Sequence, residues 1–468
     1  MADHLDAALR SLSWNAAAPG SVLLRLLKHD DRDVRRFVTQ RSDLPLEVVD
    51  AILADPDPAL RMDFAESANA DPAQRARLND DPSSKVALVL AMSPMPYRGR
   101  VEPLPDWAYA RLLEHPLERV RHEAVLSPVV PAHILADLAD HTDAVFRRAS
   151  CRAWDRLSEA TREALLQDDD LEVRRVAALH VCHEDAERTA WLVESLKDSW
   201  RQSEVLQMGR LSHELAEQQV VGTRPAAVAA NPSLPPDLVR QLAIHPDPHV
   251  RLVVSARPEL TESERAAIDY TVEPDARLDT LDWVWNARQD ADVLQQCATS
   301  AHPWLRRSAA VCPALPPDLV ELLARDEDFA VRLLLCEFHP EPPPQLLLDL
   351  YLHGSHRAVK MLIANPRFPS AGLAARFANS PDPEHRRLAL RDPALPPQLL
   401  DEFTRDPSFR WAAARDPRLP LPRIRELLAD PDTTSAVAGN PSLPVEDMHR
   451  LLDSAGVPGQ VGQPIQLP

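Results

Sequence analysis

The sequence predicts an all-α protein, built as an α-solenoid of helical repeats of about 24–27 residues. The first observation is a recurring five-residue pattern, Asn/Asp-Pro-x-Leu-Pro. It is found at 231–235, 392–396, 416–420 and 440–444. The second observation is its spacing, because the prolines at its second position recur at nearly constant intervals. They fall at 366, 393, 417 and 441, which gives steps of 27, 24 and 24 residues. Such a period is typical of stacked repeats, in which each unit buries its apolar face against its neighbours.

Residues 231–256 illustrate how one repeat is expected to fold. The pattern itself cannot form regular helix, because its two prolines lack N–H donors and restrict the residues before them. Pro235 or Pro236 then suits the first turn of one helix, and Asp247 with Pro248 suits the start of a second. Apolar residues at helical spacing are expected to face the core. They are Leu234 in the connector, Leu238, Val239 and Leu242 in the first helix, and Val250, Val253 and Val254 in the second.

A charge regularity accompanies the second helix of each repeat. An acidic residue precedes a basic one by four positions, which permits either an i,i+4 pair within the helix or a ladder between stacked repeats. The pairs are Asp31/Arg35, Asp57/Arg61, Asp81/Lys85, Asp143/Arg147, Asp170/Arg174, Asp247/Arg251, Asp328/Arg332, Asp382/Arg386 and Asp406/Arg410. Structural caps and a ladder are the favoured interpretation. A row of arginines that binds anionic groups is the alternative.

Composition limits the classes of function. The net charge of −19 opposes general binding to nucleic acids or anionic membranes, which need concentrated basic surface. The five cysteines are scattered and never have CxxC spacing, which predicts reduced, mostly buried thiols. The N-terminus is acidic and lacks an apolar stretch, and no apolar run reaches the length of a membrane-spanning helix. A cytoplasmic location is therefore expected.

The regularity of the pattern suggests a division of the chain. The predicted segments are N-terminal repeats at 1–94, an inserted loop at 95–103, repeats at 104–185, an irregular helical joint at 186–222, C-terminal repeats at 223–453 and a mobile tail at 454–468. The joint is either a bulky irregular repeat or a connection between two solenoid segments. Residues 269–300 are also degenerate.

The period and the pattern N/D-P-x-L-P followed by D-P-x-x-V-R resemble the leucine-rich repeat variant family, within the HEAT-like α-solenoids. The resemblance covers about two thirds of the chain and is best at 231–260, 312–345 and 364–453. It implies pairs of α-helices, or of α- and 3₁₀-helices, wound into a right-handed superhelix. Some family members carry an N-terminal cysteine cluster that holds an iron–sulfur centre. Because the first cysteine here is Cys151, that feature is not carried over.

Catalytic and metal-binding signatures are weak, so no catalytic residue, cofactor or metal is predicted. His180, Cys182 and His183 form the densest cluster of metal-capable side chains, but no second ligand pair has recognisable spacing. His353 and His356 share the three-residue spacing and are interpreted as a turn between repeats. The sequence contains no Gly-rich phosphate loop, nucleophile elbow or HExxH motif.

A non-catalytic scaffold for a protein or peptide partner is therefore the preferred function. Aromatic and arginine side chains dominate binding hot spots. The candidate partner-binding residues are the tryptophans of the irregular segments and the second arginine of each Arg-Arg pair. They are Trp200, Trp283, Trp285, Arg36, Arg148, Arg175, Arg307 and Arg387. The alternative is a HEAT-like solenoid that binds nucleic acid or repairs DNA, which the net charge disfavours.

Overall fold

The computed structural model describes residues 2–92, 94, 101–274, 276 and 278–459, and these form helices without any strand. The all-α prediction is therefore confirmed. The chain divides into two units, residues 1–174 with 371–468 (unit 1) and residues 175–370 (unit 2). The predicted inserted loop lies mostly outside the described residues, as does most of the predicted tail. Among the described residues, no helix combines the length and the apolar composition needed to cross a membrane.

The helices are short, which fits repeats that are stable only collectively. The first part of unit 1 contains α1 (Ala2–Ser13), α2 (Gly20–Leu26), α3 (Arg32–Thr39), α4 (Leu46–Leu53), α5 (Pro58–Ala65), α6 (Pro72–Ala76), α7 (Ser84–Met92), α8 (Asp106–Leu113), α9 (Glu118–Leu126), α10 (Ala132–Ala136), α11 (Ala144–Ser150), α12 (Glu159–Leu166) and α13 (Leu171–Leu179), the last of which continues into unit 2. Two 3₁₀-helices, Arg77–Asp80 and Cys151–Arg156, follow α6 and α11.

Unit 2 contains α14 (Ala186–Ser195), α15 (Ser199–Met208), α16 (His213–Val220), α17 (Pro225–Ala230), α18 (Pro236–Leu242), α19 (Pro248–Ser255), α20 (Glu262–Ala266), α21 (Asp282–Asn286), α22 (Ala291–Thr299), α23 (Pro303–Ala310), α24 (Pro317–Leu323), α25 (Phe329–Phe338), α26 (Pro344–His353) and a 3₁₀-helix, Arg357–Ala364. The second part of unit 1 contains α27 (Leu373–Phe377), α28 (Pro383–Ala389), α29 (Pro397–Phe403), α30 (Arg410–Ala414), α31 (Leu421–Leu428), α32 (Thr434–Ala438) and α33 (Val445–Ser454).

The repeat at 231–256 folds largely as predicted. Leu234 is buried, α18 begins at Pro236, and Asp247 caps α19 by accepting the His249 N–H at 2.8 Å. One core prediction is wrong, because Leu252 is buried whereas Val253 is only partly buried. Second helices of neighbouring repeats pack side by side, as α3, α5, α7 and α9 do in succession. These contacts bury the apolar face that no single short helix could bury by itself.

The first residue of the five-residue pattern joins each repeat to the one before it. The buried Asn231 amide donates hydrogen bonds to the carbonyl oxygens of Leu206 and Gly209, both at 2.7 Å. Asn440 likewise donates to Ala414 and Asp416, both at 2.9 Å. The carbonyls of Leu206 and Ala414 lie at helix ends and have no partner in their own helix, so the amides satisfy groups that would otherwise be buried unpaired.

Arginine performs the same task where the pattern lacks asparagine. Arg257 occupies the position of Asn231, donates to the carbonyl oxygens of Ala229 and Asn231, and pairs with Glu259. At 416–420 the first residue is Asp416, which cannot donate when ionised. Arg418, two residues later, instead donates to the carbonyls of the preceding repeat and pairs with Asp416 at 2.6 Å.

The same contact joins the two ends of the chain within unit 1. The fully buried Asn15 amide donates to the carbonyl oxygens of Ala438 at 2.9 Å and Asn440 at 2.8 Å. Arg41 in turn donates to the carbonyl oxygens of Ser13 and Asn15, both at 2.9 Å. Helix α1 also packs on α32 and α33. The last repeat therefore stacks on the first as consecutive repeats stack on each other.

Six of the eight arginines of the charge regularity pair with an acid of the next repeat rather than within their own helix, which forms a ladder between repeats. The other two, Arg174 and Arg332, donate to the backbone carbonyl oxygens of Asp168 and Asp326. Arg147 is representative: its Nε and Nη2 pair with Asp168, 21 residues ahead, and its Nη1 donates to the carbonyl oxygen of His141. Its own helix cap, Asp143, accepts the Val145 N–H instead. Equivalent pairs join Arg35 to Asp57, Arg61 to Asp81, Arg251 to Asp269, Arg306 to Asp326, Arg386 to Asp406 and Arg410 to Asp432.

Candidate partner-binding surface

The three tryptophans expected to bind a partner have different surroundings. Trp200, on α15, is 69% exposed. Trp285, on α21, is 41% exposed, and the Arg288 guanidinium lies 5.0 Å from the centre of its ring. Trp283 is half-buried, and its indole N–H donates to the carbonyl oxygen of Ala256 at 3.1 Å. Trp200 and Trp285 thus have exposed ring surface in unit 2, whereas Trp283 is engaged by the backbone of unit 2.

The second arginines of the Arg-Arg pairs also differ. Arg36 and Arg387 are about half exposed and lie 3.8 Å and 3.9 Å from Asp63 and Glu384. Arg148 is partly buried. Arg175 donates to the carbonyl and hydroxyl oxygens of Ser195.

Arg307 departs most from the expectation that the second arginine faces solvent. It is only 3% exposed, and its Nε pairs with Asp328 at 2.8 Å. Its other nitrogens donate to the backbone carbonyls of Glu273, Pro274 and Ala276. The next repeat and the connector before α21 therefore both contact this side chain. Arg307 is therefore engaged inside unit 2 and is not available to a partner.

Sequence reasoning selected only the tryptophans of the irregular segments and so missed Trp411. This side chain, on α30 in unit 1, is 59% exposed, and the Arg415 guanidinium lies 4.6 Å from its ring centre. Trp107 and Arg111 on α8 form a similar pair at 5.6 Å, but Arg111 also pairs with Asp80. The i,i+4 spacing of Trp and Arg on one helix could have indicated both pairs, because residues four apart are neighbours on a helix surface.

The Arg415 guanidinium is partly buried, yet it forms no hydrogen bond or ion pair within the described part of the chain. Burial lowers the pKa of its guanidinium, and no carboxylate opposes that effect. One side of the group faces the Trp411 ring. The other lies so close to Gly439 that a Cβ there would stand 2.8 Å from Cζ. Trp411, Arg415 and Gly439 together (the Trp411 site) present an aromatic face and unpaired N–H donors, which suit a carboxylate or another planar acceptor.

The metal-capable clusters singled out in the sequence remain separate pairs. His183 lies 3.4 Å from Glu184, and His353 lies 3.9 Å from Asp349. Within the described residues, the group that brings three such side chains together is Glu118, His122 and Asp143. All five cysteines are reduced and buried as predicted, and burial raises the pKa of Cys151, Cys297 and Cys336 to about 12. The thiols of these three residues are therefore protonated at neutral pH.

A buried Ser–His pair in unit 2 has the opposite hydrogen-bond direction to a catalytic one. The Ser255 Oγ lies 2.8 Å from His302 Nε2, and both residues are inaccessible to solvent. His302 Nδ1 accepts the Trp304 N–H, so the ring proton lies on Nε2 and points to Ser255. Ser255 donates onward to the carbonyl oxygen of Leu252 at 2.7 Å. The imidazole cannot take a proton from this hydroxyl, which leaves the pair a structural role.

Substitution of His302 by asparagine is expected to reduce the acid sensitivity of unit 2. Burial, followed by the charges of Arg265 and Arg306, lowers the pKa of His302 to about 3. The unfolded chain, with a histidine pKa of about 6.5, takes up a proton first as the pH falls, so stability decreases from pH 6.5 toward pH 3. Between pH 7 and pH 5 the wild type should lose about 2 kcal/mol more than His302→Asn, which retains a cap. Urea denaturation at pH 7 and pH 5 measures the free energy of unfolding of both proteins. Equal losses of stability in the wild type and His302→Asn would refute the prediction.

Comparisons with known proteins assign the chain to no family. No family model matches it, and no curated protein matches it. It is similar to a crystal structure of an engineered protein from a structural genomics consortium, with 13% sequence identity over 93% of this chain and 98% of that one, at a TM-score of 0.15. A TM-score this low establishes no shared fold, so function must be argued from the residues themselves.

Proposed function

We propose that this chain is a non-catalytic repeat scaffold that binds a protein or peptide partner. In this proposal the helix pairs form a right-handed α-solenoid of the leucine-rich repeat variant type, within the HEAT-like group. Stacking through Asn231, Asn440 and their counterparts supports a repeat architecture, because each contact repeats the one before it. In this proposal the scaffold binds its partner through side chains presented on a rigid surface.

The Trp411 site is the observation that carries the proposal. An exposed tryptophan with an arginine stacked on it provides large, rigid contact area, and both residue types are enriched in hot spots. The guanidinium of Arg415 is held between Trp411 and Gly439, so little side-chain freedom is lost when a partner binds. Its unpaired donors favour a partner that presents an acidic side chain or a chain-terminal carboxylate at this point.

Charge favours a protein over a nucleic acid as that partner. The chain carries 71 acidic against 52 basic side chains, and a general phosphate-binding surface needs the reverse balance. Many arginines are also unavailable to phosphate, because residues such as Arg61, Arg147 and Arg306 are paired with carboxylates of the next repeat. A DNA-repair solenoid would need a continuous basic surface that these arginines cannot supply.

Affinity capture from the native cell with four baits, the wild type and three variants, tests the proposal. The wild type is expected to retain a protein that Trp411→Ala loses. Gly439→Ala should also weaken retention, because the added methyl group displaces the Arg415 guanidinium and leaves Trp411 in place. Trp107→Ala is the matched control, since Arg111 of that pair already contacts Asp80. Recovery of nucleic acid alone would refute the scaffold function, and equal retention by all baits would refute the Trp411 site.

A further inference from the structure

We infer that Glu118, His122 and Asp143 form a binding site for a divalent transition metal, with Zn²⁺ the best-fitting ion. The three side chains belong to consecutive repeats of unit 1: Glu118 and His122 lie one turn apart on α9, and Asp143 caps α11. One ligand atom from each residue lies within 4.8 Å of the other two. One imidazole with two carboxylates is a donor set that Zn²⁺ accepts, with water completing the tetrahedron.

The three side chains direct nitrogen and oxygen atoms that can ligate a metal toward one point. His122 Nε2 lies 2.7 Å from Asp143 Oδ2 and 3.8 Å from Glu118 Oε1. Ligands bonded at roughly 2.0–2.2 Å in a tetrahedron lie about 3.4 Å apart, so small rotations of the side chains would suffice. Asp143 Oδ1 accepts the Val145 N–H, which leaves Oδ2 directed at His122. The His122 ring also packs edge-on against the buried Phe146, at 5.9 Å between centroids, which limits its rotation.

Comparison with other repeats distinguishes this site from the Arg–Asp pairs that occupy the same position elsewhere. Arg10 with Asp31 and Arg307 with Asp328 occupy the same relation as His122 with Asp143, 21 residues apart with the acid at a helix cap. Arginine cannot ligate a metal, because it stays protonated. The position of Glu118 is occupied by Pro303 in the repeat of Arg307 and by Asp6 in the repeat of Arg10. Here the arginine is replaced by a ligand, and a second carboxylate stands one turn before it.

A second histidine in the chain provides a matched control. His213 also has a glutamate four residues later and an aspartate in the next repeat. Its two carboxylates contact opposite ring nitrogens, however, with Glu217 3.7 Å from Nδ1 and Asp237 3.2 Å from Nε2. They therefore cannot converge on one ion. Zinc binding that depends on geometry should distinguish His122 from His213, whereas adventitious binding to surface histidines should not.

Titration of untagged, chelator-treated, full-length protein with Zn²⁺ and with Mg²⁺, followed by calorimetry, tests the inference. The wild type is expected to bind one equivalent of Zn²⁺ in preference to Mg²⁺. His122→Arg should abolish binding while it keeps a side-chain contact with Asp143 and the melting temperature of the wild type. Glu118→Gln should weaken binding by about tenfold or more, and because Glu118 is largely exposed, this variant is expected to fold. His213→Gln should bind as the wild type does.

Any of three results would overturn the inference. The first is a wild-type protein that takes up no Zn²⁺ in this titration. The second is equal loss of bound Zn²⁺ in His213→Gln and His122→Arg. The third is unchanged binding in both His122→Arg and Glu118→Gln. A gain in melting temperature for His122→Arg without any zinc effect would identify the cluster as a weakened counterpart of the Arg307–Asp328 pair.

Discussion

Arg61→Met is expected to lower the free energy of unfolding by about 3–5 kcal/mol, the usual cost of breaking a buried ion pair from one side. Arg61 and Asp81 are bound through two contacts, Nε–Oδ2 at 2.6 Å and Nη2–Oδ1 at 3.1 Å. Their side chains are 8% and 3% exposed. Methionine can occupy the apolar space of the arginine stem, but it leaves the Asp81 carboxylate buried without a cation. Urea denaturation followed by circular dichroism measures the loss.

Two controls separate this effect from a general loss of charge. Arg111→Met removes the partner of the neighbouring Asp80, in a pair whose side chains are 56% and 76% exposed. It should cost no more than about 1 kcal/mol, because water screens exposed pairs. The double variant Arg61→Met, Asp81→Leu should recover much of the stability, since no buried charge remains. Equal losses in Arg61→Met and Arg111→Met would contradict a buried ladder.

Asn15→Leu is expected to destabilise unit 1 by about 1–3 kcal/mol, because it leaves the buried Ala438 carbonyl unpaired, whereas the Asn440 carbonyl keeps the Leu443 N–H. Leucine resembles asparagine in shape but cannot donate to the carbonyl oxygens of Ala438 and Asn440. Asn69→Leu is the matched control, because the exposed Asn69 donates one bond, to the carbonyl oxygen of Gln40. Its loss should be small, as water can replace that bond.

Hydrogen exchange locates the effect of Asn15→Leu along the chain. If the last repeat stacks on the first, amide exchange should accelerate in both α1 and α32, although they are more than 400 residues apart in sequence. Helices α18 and α19 of unit 2 should be unaffected. Acceleration confined to α1 would contradict the stacking of the chain ends.

The sequence predicted the helical repeat because its period is local. Proline and leucine at fixed positions determine where each helix ends and begins, and Asp247 at the start of α19 follows the ordinary rules of capping. The pairing of Arg147 with Asp168 was harder to predict. The acid within each helix is already occupied by its own backbone, so the arginine reaches the next repeat, and this competition is visible only in three dimensions.

Two features lay beyond sequence reasoning for different reasons. A repeat period says which neighbours stack along the chain but not whether its two ends meet, so the bond from Asn15 to Asn440 could not be foreseen. Trp411 occupies a regular repeat, where apolar residues usually face the core, yet it lies on the outer edge of its short helix. Conversely, Arg307 resembled a free arginine in sequence and is buried.

The most direct test of the scaffold proposal is to measure the affinity of Trp411→Ala and Asn15→Leu for the captured partner. The melting temperature of each variant is recorded beside it. Trp411 is exposed and is not part of the core. Its loss should therefore lower the affinity for the partner by tenfold or more, about 1.4 kcal/mol, at an unchanged melting temperature. Asn15→Leu should lower the melting temperature, yet its folded fraction should bind the partner normally. Full affinity in Trp411→Ala would contradict the proposal.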